Sequence, residues 1–368
     1  MNLRIGILST RGIPNRYGGF EQLAEYLSVG LTQKGHKVIV YNSHLHPYKE
    51  KEWNNVSIIH RYDPENKIGS AGQFIYDLNC VIDARKRNLD VLLILGYTSI
   101  SVWRKIFPKK SITIFNMDGF EWKRDKYSSI AKKFLLNAEK LAIKSGNYFI
   151  SDSTIIQNYL QKKYNTASEY IAYGAEIRND EDASVLDLYR VKKYNYFLLV
   201  ARIEPENNIE MILDGFTASN VKKKMIVMGN VSNKFGKHLI KKFSHDSRIQ
   251  FSSAMYDKHI KHSLCCFSEI YFHGHSTGGT NPSLLEAMAS RAMIAAHKND
   301  FNKEVLGENA LYFSNSFDVK KIIENNKGEN VEQMIENNLS KLQSHYNWDA
   351  IIDHYERFIL ECYNHKKD

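Results

Sequence analysis

The sequence is poor in cysteine, has no long apolar run and holds no low-complexity segment, and each absence narrows what the chain can be. Its four cysteines form no C-x-x-C pair: Cys80 and Cys362 stand alone, and Cys265 and Cys266 are adjacent on an apolar run. That pattern argues against a cysteine-built zinc or redox site and reads as buried reduced thiols. No window reaches the roughly 20 apolar residues a membrane-spanning helix needs. The start, MNLRIGILSTRG, lacks the length and the small-residue cleavage site of a secretory signal and reads as a first strand. These absences point to a cytoplasmic protein. No internal repeat is visible, and no recognised RNA- or DNA-binding module appears.

What is present is a chain of 368 residues, 43% hydrophobic and 25% charged, long enough for two domains with buried cores. Its pattern alternates short apolar runs with amphipathic stretches. Leu3–Ser9 is a strand, Phe20, Leu23, Ala24, Leu27 and Leu31 recur at helical spacing, Gly35 ends that helix, and Val38–Tyr41 is the next strand. Strands are expected at Val56–His60, Val91–Leu95, Ile112–Asn116 and Tyr148–Ser151, with helices over Phe74–Arg87 and Ile130–Lys144 between them. In the last of these, Ile130, Phe134, Leu141 and Ala142 form the expected apolar face. Asp152 is the expected N-cap of the following helix.

Near Tyr173-Gly174-Ala175 a charged, loop-like stretch interrupts the pattern, which marks a domain boundary. The rhythm then resumes. Strands are expected at Tyr196–Ala201, Lys224–Met228, Ile249–Ser252, 267–272, Ile294–Ala296 and Ala310–Phe313, with helices over 207–218 and 234–243 and another between Ile249–Ser252 and 267–272. Alternation of this kind predicts an α/β protein with parallel sheets. Three segments follow: an N-terminal domain over 1–173, a C-terminal domain over 174–345, and a closing helix over 346–368. Two such domains in series imply a cleft between them.

The stretch Tyr271–Ala289, YFHGHSTGGTNPSLLEAMA, stands out. A strand end passes through a loop of glycines and hydroxyls into a helix whose first turn holds Pro282. Glycine loops that feed a helix N-terminus suit an anion, most often a phosphate. Gly18 and Gly19, ahead of the first helix, form a second such candidate, although the G-x-G-x-x-G spacing of a dinucleotide fingerprint is missing. The pairs His44/His46 and His273/His275 share the H-x-H spacing of metal ligands, yet neither has a third ligand nearby, and no metal site is assigned.

Charge is divided unevenly. Residues 1–173 carry 25 Lys and Arg against 15 Asp and Glu, and residues 174–368 carry 25 against 26. A basic first half fits an anionic surface or substrate, or simply a solvated face.

Four segments in order resemble one family. LVARIEPENNIEMIL is similar to the motif of family-four glycosyltransferases in which an Arg, and a Lys five residues later, hold the donor diphosphate. GHSTGGTNPSLLEAMAS resembles that family's E-x7-E segment, whose second Glu contacts the donor ribose. STRGIPNRYGGFEQLAEYL resembles its N-terminal glycine loop and helix. MDGFEWKRDKYS resembles a signature of rhamnosyltransferase-type members. The resemblance runs to the closing YNWDAIIDHYERFILECY helix, which in this family returns to the first domain. It implies GT-B architecture, two Rossmann-like parallel-sheet domains facing across a cleft. The N-terminal domain would bind the acceptor and the C-terminal domain the nucleotide sugar.

On that resemblance Arg202 is the diphosphate clamp and Glu286 the ribose contact. Gly18, Gly19, Asn207, His275, Gly279, Thr280 and Asn281 complete the donor site. Asp118, or its neighbour Glu121, is the expected catalytic base for the acceptor hydroxyl. Trp122 and Tyr127 are candidates to stack on a sugar ring or enter a membrane interface, and Lys123, Arg124 and Lys126 to meet a lipid diphosphate. The plainer alternatives are an ion pair of Arg202 with Glu204 or Glu206, a solvated helix position for Glu286, and a turn or cap for Asp118. Two departures stand out: Asn207 replaces the motif's Lys, and Gly278 its first Glu.

The implied activity is metal-independent transfer of a hexosyl group, rhamnosyl among the candidates. The donor is a nucleotide diphosphate sugar and no other cofactor is called for. The acceptor is a glycan or a polyprenyl-diphosphate-linked glycan, at an anionic inner-membrane surface met by the basic domain. Three other readings remain open. They are a non-catalytic sugar-nucleotide or glycan-binding relative, a nucleic-acid-binding protein, and an epimerase or phosphorylase of the same architecture. The acidic balance of the second half argues against a continuous nucleic-acid track.

Overall fold

A computed structural model describes residues 1–117, 119–255, 257–325 and 330–366. The chain divides into two compact units. The first comprises Met1–Lys123, Tyr127–Tyr173 and Trp348–Asp368, and the second Arg124–Lys126 and Gly174–Asn347.

The first unit is built on an eight-stranded sheet. In spatial order its strands are Glu52–Trp53, Val56–Arg61, Lys37–Ser43, Arg4–Leu8, Val91–Leu95, Ile112–Asn116, Tyr148–Ser151 and Glu169–Tyr170. All pair in parallel except Glu52–Trp53, which runs antiparallel to Val56–Arg61. The strands Val91–Leu95 and Ile112–Asn116 are buried along their whole length, as a sheet covered on both faces requires. The expected helix over 130–144 forms as Ser129–Ile143, but its buried face is not the expected one. Leu135, Ala138, Glu139 and Ala142 are buried, whereas Ile130 is 82% exposed and Phe134 40% exposed. The cap of the helix Thr154–Tyr164 is Ser153, whose Oγ accepts from the Ile155 N–H, and not Asp152.

The closing helix, Trp348–His365, packs within this first unit. Trp348 stacks on Tyr26 with ring centroids 4.3 Å apart, and Ile352 lies against Gly30 of the helix Gly19–Gln33. Asn116 Nδ2 donates to the Tyr355 hydroxyl at 2.9 Å, which ties the helix to the end of a central strand.

Between Arg4–Leu8 and Val91–Leu95 the order of this sheet reverses. Beside that reversal lies Asp77, 1% exposed, on the helix Gly72–Ala84. Its Oδ2 accepts from Ser99 Oγ at 2.5 Å and from Ser9 Oγ at 3.4 Å, while Oδ1 has no hydrogen-bond partner. Burial pushes its pKa from the ordinary 3.8 up to about 7, although the two hydroxyls favour the charged form. The folded protein therefore holds a proton that the unfolded chain releases between those pH values. The contribution is stabilising below the ordinary carboxylate range and is lost as pH rises through 7. Asp77→Asn is expected to flatten this dependence. Urea midpoints of the wild type should fall between pH 5 and pH 8, those of the variant should fall less, and the variant should be the more stable at pH 8. Parallel pH profiles would contradict the assignment.

The second unit carries a six-stranded, wholly parallel sheet in the order Ile249–Ser252, Lys224–Met228, Tyr196–Val200, Ile270–His273, Ile294–His297 and Leu311–Phe313. Phe197, Phe216, Phe272 and Phe313 interlock at ring distances of 6.0 to 6.2 Å in its core. Two helices absent from the pattern reading, Ser316–Asn325 and Val331–His345, close the unit.

Candidate active site

The second sheet also reverses order, between Tyr196–Val200 and Ile270–His273. In open parallel sheets the carboxyl ends of strands at such a reversal border the ligand crevice. From the first strand leaves the loop that holds Arg202, and from the second the loop Gly274–Asn281. Hydrogen bonds bind the two loops together. The backbone N–H and the hydroxyl of Ser276 donate to the Glu206 carbonyl at 3.1 and 2.8 Å, and Asn208 Nδ2 donates to the Gly274 carbonyl at 2.8 Å. Asn207 passes so close to Gly274 that a Cβ there would overlap the Asn207 carbonyl oxygen.

Within this constellation each residue has a distinct position. Arg202 is exposed. Asn207 is buried and turns inward, its Nδ2 donating to the Arg202 carbonyl at 2.6 Å, so it shapes the loop that carries Arg202. Gly279 and Thr280 are buried. Asn281 caps the helix Pro282–Ala289, its Oδ1 accepting from the N–H of Ser283 at 3.0 Å and from the Ser283 hydroxyl at 2.8 Å. Gly278 has φ of +128°, and no atom lies within 4 Å of the place a Cβ would take. Backbone conformation, not crowding, selects glycine at this position.

Glu286 lies one turn into the helix and forms an ion pair with Lys261 at 2.7 Å. Lys261 sits on the helix Lys258–Cys266, in a stretch without motif or periodicity to single it out. The rings of His273 and His275 stack with centroids 4.5 Å apart. Burial pushes His273 down to about 3. It also holds His275 well below the ordinary range, with the charges of His273, Arg202 and Arg124 adding to the effect. Both imidazoles are therefore neutral at pH 7, so His275 can exchange hydrogen bonds with a ligand but brings no charge.

The remaining candidates belong to the first unit. Gly18 is the N-cap of the helix Gly19–Gln33, with no capping side chain. Just inside it, buried Glu21 accepts from the Arg11 N–H at 2.8 Å and from Thr10 Oγ1 at 3.2 Å, pinning the loop ahead of the glycines. Glu121 opens the short turn Glu121–Lys123, and Asp118 lies outside the described residues. Trp122 is not presented as an open platform. Its indole N–H donates to Glu139 at 3.1 Å, and its ring lies among those of Phe120 and Tyr159. Glu139 also accepts from the hydroxyls of Tyr159 and Tyr164 and from Lys163. This buried acid lies on the inner face of the helix Ser129–Ile143, held by a network that an apolar pattern does not register.

Comparison with known proteins adds two family matches. Residues 3–176 match a domain of unknown function (DUF1972), and residues 186–348 match glycosyl transferases group 1. The chain is 22% identical over 237 residues to alpha-1,3/1,6-mannosyltransferase ALG2 of Candida glabrata; the match covers 57% of this chain and 51% of that protein, so the chain spans about half the length of this curated relative. Among solved structures, sucrose-phosphate synthase from Thermosynechococcus elongatus superposes with a TM-score of 0.80 at 14% identity, covering 99% of this chain and 100% of that one. Anabaena HepE in complex with UDP-glucose superposes with a TM-score of 0.76 at 12% identity, covering 98% and 100%. The likeness extends over both α/β units and is one of fold.

Proposed function

We propose that this chain, whose residues 186–348 match glycosyl transferases group 1, is a glycosyltransferase that moves a hexosyl group from a nucleotide diphosphate sugar to a glycan acceptor. The observation that carries the reading is the joining of the loop that bears Arg202 to the loop Gly274–Asn281, which leads into the helix Pro282–Ala289, at the reversal of the second sheet. Developing charge on a leaving nucleoside diphosphate needs stabilisation there. A guanidinium and backbone N–H groups supply it without a metal ion. The helix begins with Pro282, which has no N–H to give, so the contacts fall to the loop and to Arg202.

Rhamnose is the sugar favoured by the wording of MDGFEWKRDKYS and GHSTGGTNPSLLEAMAS, and bacterial surface polysaccharide synthesis is the matching context. A polyprenyl-diphosphate-linked acceptor, and a peripheral place at the inner membrane face, are supported by the basic first half. On the helix Ser129–Ile143, the exposed Ile130 and Phe134 stand beside Lys132 and Lys133. Apolar residues among cations suit an anionic lipid surface. No helix among the described residues is long and apolar enough to cross a membrane. Asn207 and Gly278 favour a second reading, a relative that binds sugar nucleotides without turning them over.

Turnover separates the two. With a panel of UDP-, GDP- and thymidine-diphosphate sugars, one donor should release its nucleoside diphosphate only when a lipid-linked glycan acceptor is present. Binding without release would favour the second reading.

A further inference from the structure

The second unit includes three residues remote in sequence from the rest of it, Arg124–Lys126. Arg124 Nη1 lies 3.6 Å from Glu206 Oε1, and Lys126 Nζ lies 3.9 Å from Glu206 and 3.9 Å from Glu204. Glu206 is 3% exposed, and both its carboxylate oxygens lack a hydrogen-bond partner, so it meets the two cations by charge alone. Its backbone carbonyl is the acceptor that fastens Ser276, which fixes it at the join of the two site loops.

We propose that Arg124 and Lys126 are diphosphate-binding residues of this site, acting beside Arg202, and that Glu206 is the positioning residue that keeps them there. The inference rests on the function proposed above and extends it, because the loops alone are short of charge for the ligand they would hold. Asn207 faces its own loop and His275 is neutral, which leaves Arg202 to face a group bearing at least two negative charges. Arg124 and Lys126 make up that shortfall.

Crowding supports the assignment. Burial, then the nearby charges of Arg202 and Arg124, push the Lys126 ammonium below its ordinary range, and Glu204 and Glu206 only partly offset them. Cations gathered this closely repel one another. An anion placed among them relieves the repulsion. Glu206 is too buried to compete freely for the ligand, yet near enough to hold both side chains in place.

A diphosphate could reach these cations from a nucleotide or from a prenyl lipid, and we assign it to the nucleotide. Arg124→Gln, Lys126→Gln and the control Lys222→Gln, at an exposed lysine of the second unit, should be titrated calorimetrically with UDP, GDP and thymidine diphosphate, with the matching nucleosides, and with farnesyl diphosphate. Each of the first two variants should weaken the preferred nucleoside diphosphate about tenfold, the size expected for one charged hydrogen bond. Nucleoside and farnesyl diphosphate binding should be unchanged, and Lys222→Gln should match the wild type throughout. Should Arg124→Gln fail to fold, Arg124→Lys with Lys126→Gln carries the same comparison. Wild-type nucleotide affinity in both variants, with Arg202→Ala defective, would overturn this inference alone. A loss confined to farnesyl diphosphate would overturn the nucleotide assignment. A wild type that binds none of the nucleoside diphosphates would contradict the proposed function as well.

Discussion

Arg202→Ala is expected to weaken nucleoside diphosphate binding by about tenfold to a hundredfold, the range of a charged hydrogen bond made to a ligand. The arginine leaves the carboxyl end of a central strand at the sheet reversal, and its side chain is exposed. Its loop is held by its carbonyl, which accepts from the Glu204 N–H at 2.8 Å and from Asn207 Nδ2 at 2.6 Å. Alanine keeps both bonds, so the loop and the fold should survive while the guanidinium is lost. A calorimetric titration with the preferred nucleoside diphosphate reads the effect, and the ligand-free melting temperature serves as control. Unchanged affinity would remove Arg202 from the site. A collapse in melting temperature would mean that the residue serves the fold instead.

Gly274→Ala should have the opposite profile, with stability damaged first and binding damaged with it. The added methyl would overlap the Asn207 carbonyl oxygen and lie 3.0 Å from Ile212 Cδ1. Neither is the free end of a flexible chain: one is backbone, and Ile212 is wholly buried. Relief requires the two loops to part, which would strain the hydrogen bonds of Ser276 to Glu206 and of Asn208 to Gly274. Overpacking of this kind costs about 1–3 kcal/mol. Urea denaturation should register that loss, together with weaker donor binding. Gly278→Ala is the useful contrast, since space is open there and only the left-handed backbone opposes a side chain.

Much of the fold was legible because parallel strands leave an unambiguous trace. Val91–Leu95, Ile112–Asn116, Lys224–Met228 and Ile249–Ser252 formed with the expected bounds; the first two are buried throughout, and the apolar runs showed them directly. What escaped notice had weak patterns. Ser316–Asn325 buries only Val319 and Ile323, and Val331–His345 only Asn338 and Leu342, too few apolar positions to set a period. The helix Ser129–Ile143 misled for a different reason. Its inner face includes Glu139, a buried acid satisfied by partners from Trp122 to Tyr164, and no local pattern announces a long-range network.

The site was legible as residue types more than as roles. Glycines, hydroxyls and Pro282 in one stretch marked the loop and the helix start, and the structure joins that loop to the one bearing Arg202. Orientation was not readable. Nothing in a sequence tells that the Asn207 amide turns to its own loop, or that Glu286 pairs with Lys261 across from another helix. Gly278, which stands where the motif has its first Glu, takes a φ of +128° that a glutamate would strain.

The central claim is sugar transfer from a nucleotide donor, and acceptor-dependent release of the nucleoside diphosphate tests it most directly. Purified protein, the donor panel and a polyprenyl-diphosphate-linked glycan should give release that tracks a glycosylated lipid mole for mole, with Arg202→Ala strongly impaired. Release that ignores the acceptor, or no release from any donor with the acceptor present, would contradict the account.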